Sequence, residues 1–196
     1  LAAILGQDVL LEPFAAQAFG WTVTQTTRLT AIWGGFVLLT IILAGAFERR
    51  FSRRAAAQAG NLGALAGFLL ILTGGGLRLV QPFYAGVILL GAGTGLSTVA
   101  NLALMFDLTM PGQAGLFVGA WGFSNALSRL TGSVLGGALR DLITRVSGDA
   151  LSGYVIVFGI EALMLFTAVL LLGRIDVTAF RNSAQRLSAA ERAMLD

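Results

Sequence analysis

The sequence predicts an all-α integral membrane protein, a bundle of six hydrophobic helices, and three observations lead there. First, 56% of the residues are hydrophobic and only 12% are charged, about half the roughly 25% usual in soluble domains. The mean hydropathy is +0.82, more apolar surface than a soluble domain of 196 residues can hide. Second, residues 29–47, 55–77, 79–106, 108–128 and 130–139 carry no charge, and 150–173 carry only Glu161. A bilayer core needs about 20 apolar residues per helix. Third, these runs show no period-two alternation, which argues against a barrel.

The spans follow in order. Residues 1–17 form a short first span, and complete ones follow at about 27–47, 57–77, 82–105, 114–138 and 152–173. The chain begins with Leu1 inside an apolar stretch, so the expectation is a helix cut at its start within a fragment of a longer product. Gly20-Trp21-Thr22 makes the first turn, with Trp21 at interface depth. Residues 48–54, with Glu48, Arg49, Arg50, Arg53 and Arg54, are the densest charge cluster and make the second connection. Arg78 to Pro82 is the third connection, Asp107 to Gly112 the fourth and Arg140 to Ser152 the fifth. Pro111 suits the first turn of the next helix. The polar tail, 174–196, holds Ser188-Ala189-Ala190-Glu191, a capping-box pattern for a short surface helix.

Arginine supplies all 13 basic residues; Lys, His and Cys are absent. That excludes disulfides, thiolate metal sites, a thiol nucleophile and histidine chemistry. Tyr84, Tyr154 and the acidic residues remain for proton transfer, and the expectation is no enzyme and no metal cofactor. The basic residues are scattered in short connections, a pattern of membrane orientation and not of nucleic-acid binding. Arg49, Arg50, Arg53, Arg54, Arg174, Arg181, Arg186 and Arg192 fall on one side, against Arg28, Arg78, Arg140 and Arg145 on the other. This asymmetry predicts that residues 48–54 and the tail face the cytoplasm.

Glycines recur four apart: Gly63 and Gly67, Gly91 and Gly95, Gly115 and Gly119, Gly132 and Gly136. Such spacing lets membrane helices approach closely. The alternative is that some are hinges or clear space for a large flat ligand.

Six helices with both ends inside and a basic loop after the second resemble the C-terminal half of a major facilitator superfamily transporter. Each half of such folds is built of inverted three-helix repeats. The loop signature of that superfamily, Asp-Arg-x-Gly-Arg-Arg, is loosely matched by residues 45–54, with Glu48 in place of Asp, the spacing off by one and the inner Gly missing. A more specific likeness lies in residues 106–122, Phe-Asp-Leu-Thr-Met-Pro-Gly-Gln-Ala-Gly-Leu-Phe-Val-Gly-Ala-Trp-Gly. It continues in Gly136-Gly137 with Arg140-Asp141, Tyr154, Val157-Phe158, Glu161 and Arg174-Ile175-Asp176. Near the start stand residues 7–13, Gln-Asp-Val-Leu-Leu-Glu-Pro, then 27–31, Thr-Arg-Leu-Thr-Ala, and Trp33-Gly34-Gly35. Over nearly its whole length the series resembles the PucC family, the bacteriochlorophyll-delivery branch of that superfamily.

The resemblance implies a role in phototrophs, handling or delivering chlorophyll or bacteriochlorophyll as cargo for light-harvesting complexes. It implies the bacterial inner or photosynthetic membrane, and as partners the lipid bilayer, the N-terminal half of the same fold, and antenna or reaction-centre subunits. The alternative is a proton-coupled secondary transporter of a small amphipathic solute; a third reading is a chaperone of antenna helices that never touches pigment.

Charged residues at bilayer depth are functional candidates by default. Asp8 and Glu12, four apart, share a face of the first helix. They are a proton-coupling or substrate-facing pair, or Glu12 is hydrated near the outer interface. Arg129 lies about 15 residues into the fifth span, about 22 Å along its axis, and Glu161 about 14 Å into the sixth from the outer side. The depths overlap, so an Arg129–Glu161 ion pair is the first expectation and a partner in Asp8 or Glu12 the second; Arg129 could also contact substrate. Glu48, Arg49, Asp107, Arg140 and Asp141 read as gate or loop anchors. Asn101 and Asn125 could hydrogen-bond across helices or offer an amide oxygen to a metal. Phe117, Trp121 and Phe123 on the fifth span could pack a pigment, or simply face core or lipid.

Overall fold

The computed structural model describes residues 2–47, 52–109 and 113–174, and every regular element among them is a helix. The order is α1 (Ala2–Phe19), α2 (Val23–Phe47), α3 (Arg53–Gly76), α4 (Val80–Leu108), α5 (Ala114–Ser147) and α6 (Ala150–Arg174). Glu48, Arg49, Pro111 and the capping-box pattern of the tail lie outside the described residues. By length and composition α2, α3, α4 and α6 can each cross a membrane, so the chain is an all-α, multi-pass membrane protein. Of the six helices, that measure of length and composition picks out these four. α1 and α5 fall outside that measure; α1 carries Asp8 and Glu12, and α5 carries Arg129, Arg140, Asp141 and Arg145.

Glycine sets the closest helix contacts. At Gly67 a Cβ would stand 2.6 Å from the Leu90 backbone nitrogen, and at Gly60 2.5 Å from that of Ser97. α3 and α4 therefore pack backbone to backbone, as small residues allow in lipid. Gly91 and Gly95 face the Trp33 and Val37 carbonyls of α2 in the same way. Gly115 and Gly119 have nothing within 4 Å of a Cβ, so that pair serves no packing among the described residues.

An aromatic cluster occupies one region of the core. Phe14 of α1 is fully buried and stacks on Tyr154 and Phe158 of α6 at 5.6 and 5.1 Å, with Phe83 of α4 edge-on at 5.8 Å. Gly75 makes room for the Phe14 ring: a side chain there would overlap it.

The fifth connection is shorter than the sequence predicts. α5 continues through Arg140 and Asp141 to Ser147 and ends on Gly148, whose φ of 70° is the left-handed conformation that glycine adopts freely. Arg140 and Asp141 thus sit on a helix, not in a loop. Asp149 opens α6: its carboxylate accepts the Leu151 and Ser152 amides at 3.2 and 3.0 Å and the Ser152 hydroxyl at 2.5 Å. Hydrogen bonds from Ser152 first, then Leu151, hold this carboxyl below its ordinary pKa. A depressed carboxylate contributes stability above its unfolded pKa and loses it as pH falls through the folded one. The N-terminus of α6 should therefore be protected from amide hydrogen exchange at neutral pH and fray below the ordinary carboxylate range. Asp149→Ala should fray it at both, and unchanged exchange in that variant would contradict the cap.

Candidate functional site

Charged side chains of α1, α5 and α6 meet in one place. Arg129 of α5 pairs with Asp8 of α1, Nη2 to Oδ2 at 3.4 Å, the two side chains 64% and 23% exposed. The Gln7 amide donates to the other Asp8 oxygen at 3.0 Å, and Gln7 is itself buried. The first expectation for Arg129 is thereby corrected. Its partner is the first-helix carboxylate Asp8.

Glu161 of α6 is only 6% exposed. One of its oxygens rests on Gly6, where a Cβ would stand 2.6 Å from Oε1 and 3.3 Å from the Gly132 backbone of α5. Its other oxygen, Oε2, is buried without a hydrogen-bond partner. The reason for the arrangement is steric: Gly6 and Gly132 bring α1 and α5 together at the level of Glu161, and the short Asp8 side chain, two residues on from Gly6, meets Arg129. A groove of about 260 Å³ runs beside this junction between α5 and α6, with Glu161 in its wall.

The remaining candidates lie elsewhere. Glu12 accepts a hydrogen bond from Thr30 of α2, so the two carboxylates of α1 serve different neighbours. Asn101 donates to Ser97 at 3.0 Å, and Ser97 to buried Asn61 at 2.8 Å, a polar ladder across α3 and α4. Asn125 donates to the Trp121 carbonyl of its own helix. Arg140 lies 3.1 Å from the Asp141 carboxylate without hydrogen-bond alignment, and its guanidinium sits 5.1 Å from the centre of the Tyr154 ring. The Asp107 side chain is outside the described residues. On α5, Phe123 is 70% exposed, and the ring contacts of the described residues centre on Phe14, Phe83 and Trp21 instead. Among the described residues no three acidic side chains stand close enough to hold a metal ion. Sequence reasoning missed Gly6, Gln7 and Asn61; the glycine spacing flagged Gly132, but nothing marked Gly6 as the seat of a carboxylate on another helix.

The model of the PUCC protein family matches residues 1–180. The chain belongs to the PucC family. A relative in Rhodobacter capsulatus, described as an uncharacterized protein in the puhA-bchM intergenic region, is 31% identical over 179 residues, covering 85% of this chain and 37% of its own length. Protein PucC of Cereibacter sphaeroides is 33% identical over 172 residues, covering 84% and 37%. The bacteriochlorophyll synthase 44.5 kDa chain of Rhodobacter capsulatus is 30% identical over 191 residues, covering 94% and 44%. The chain thus spans about two fifths of the length of these curated PucC-type relatives. No solved structure matches it.

Proposed function

We propose that this chain is part of a membrane protein that handles or delivers chlorophyll or bacteriochlorophyll for the assembly of light-harvesting antenna complexes. The observation that carries the reading is the family match over residues 1–180. The name of one relative, a bacteriochlorophyll synthase chain, points to the same pigment. The role read here is that of a carrier and not of an enzyme, with pigment as cargo and no resident metal.

In this reading the six helices are the C-terminal half of a major facilitator fold and pack against an N-terminal half. The protein sits in the bacterial inner or photosynthetic membrane beside antenna or reaction-centre subunits. The test uses the full-length protein: purified from a phototroph it should carry pigment absorbance, and its deletion should deplete antenna complexes. Pigment-free protein together with normal antenna assembly would remove the reading.

The Asp8–Arg129–Glu161 junction favours a second reading, a proton-coupled transporter of a small amphipathic solute, because buried ionisable groups mark proton pathways in membranes. Proton-dependent uptake into vesicles by the full-length protein, with antenna assembly intact in the deletion strain, would favour it.

The Arg asymmetry favours a cytoplasmic position for residues 48–54 and the tail. Ser52 at the start of α3 and Ser147 at the end of α5 are both exposed and at opposite ends of the bundle. Single cysteines placed there should react from outside intact cells at position 147 alone; reaction at 52 and not at 147 would invert the topology.

A further inference from the structure

A second groove, of about 440 Å³, lies between α2 and α3 over α4. Its shape follows from residue size. Six of its lining residues are alanines, whose side chains end at the methyl. Ala55 and Ala59, one turn apart on α3, are exposed on its edge, and Ala100 of α4 is buried in its floor. The groove follows the helix axes: from Arg53, the first residue of α3, to Ala59 is about 9 Å. Its walls are almost wholly apolar. Among the described residues its one charged member is Arg53, half-buried where α3 begins.

We propose that this groove holds an acyl chain of an anionic glycerophospholipid from the surrounding bilayer, with the lipid phosphate on the Arg53 guanidinium. The groove runs in the direction of the lipid chains, because the helices that form it cross the membrane. An apolar slot that ends on a cation matches a molecule with an apolar tail and an anionic head. Arg53 and Arg54 both stand in the first turn of α3, which holds no acidic residue, although cations there oppose the helix dipole. Arg54 is answered by the Gly173 carbonyl near the end of α6. A guanidinium carries five N–H donors in a planar fork, so a partner on one edge leaves another edge for a phosphate. A zwitterionic lipid brings its own cation beside the phosphate, and an uncharged pigment tail offers Arg53 nothing; an anionic lipid fits both ends. The Arg asymmetry favours the cytoplasmic leaflet for this end of the bundle, and that leaflet carries the anionic lipids. The lipid site stands whether or not the protein handles pigment.

The experiment titrates the full-length protein in mild detergent with dioleoyl phosphatidylglycerol and, separately, dioleoyl phosphatidylcholine. Native mass spectrometry reads the affinity for the first lipid bound. The wild type should bind the anionic lipid about fivefold more tightly than the zwitterionic one. Arg53→Gln should abolish that preference and leave the zwitterionic lipid unchanged, and Arg53→Lys should keep part of it. Arg145→Gln, at the other end of the bundle, should keep the wild-type preference. Ala55→Leu with Ala59→Leu fills the groove from its exposed edge and should weaken both lipids together. A preference that survives Arg53→Gln, or affinities that survive the double leucine variant, would overturn the site. Two further outcomes would give the groove to another occupant and overturn it as well. One is a single cysteine at position 59 that maleimide cannot reach in lipid-free detergent, which would show the groove covered by another part of the protein. The other is displacement of the lipid by bacteriochlorophyll a with equal strength in wild type and Arg53→Gln.

Discussion

Phe14→Ala should destabilise the bundle by about 3–5 kcal/mol, the range for emptying a fully buried aromatic position. The side chain is fully buried and its ring touches those of Phe83, Tyr154 and Phe158, so α1, α4 and α6 lose their common contact together. Gly75 supplies a control. Any side chain there overlaps the Phe14 ring, so Gly75→Leu alone should overpack and destabilise by about 1–3 kcal/mol. In the double variant the leucine enters the space that the ring vacates, and the two losses should fail to add. Unfolding of the full-length protein in bicelles, followed by steric trapping, measures all three. Strict additivity would mean that the ring and the glycine do not share one space.

Arg129→Leu and Asp8→Leu should show a coupling of about 0.5–3 kcal/mol in a double-mutant cycle scored by the same unfolding measurement. The lower part of that range is expected because the guanidinium is largely uncovered. Losing Arg129 alone should be the worse single change. It leaves the half-buried Asp8 carboxylate without its cation, whereas removing both members of a pair strands no charge. The cycle of Arg129→Leu with Glu161→Leu should instead be additive within about 0.5 kcal/mol. A large coupling there and none with Asp8 would restore the pairing that depth along the helices had suggested.

How much of the site was legible is clearest at Arg129. An arginine in an apolar helix cannot shed its proton, so the demand for an anion could be read directly from the sequence. Axial depth narrowed the choice to the carboxylates of α1 and α6, since position along a helix follows from residue count. Which of them meets Arg129 depends on rotation about the helix axis and on how closely helices approach, and neither is encoded in depth. The approach of Gly6 to Gly132 decided it. Asn101 illustrates the same limit: its polarity marked it, but its partners Ser97 and Asn61 depend on the α3–α4 register.

By itself the sequence determined the class of the protein, its helices and its family, because these depend on local quantities: uncharged run length, the absence of His, Lys and Cys, and motifs read in chain order. It also determined that the charges at membrane depth would need answers. Tertiary structure decided which answers they received. It extended α5 through Arg140 and Asp141, gave Arg129 to Asp8, and left Oε2 of Glu161 buried without a hydrogen-bond partner. Those outcomes turn on interhelical distances of a few ångströms, set where glycines on different helices face one another, and no single helix contains that information.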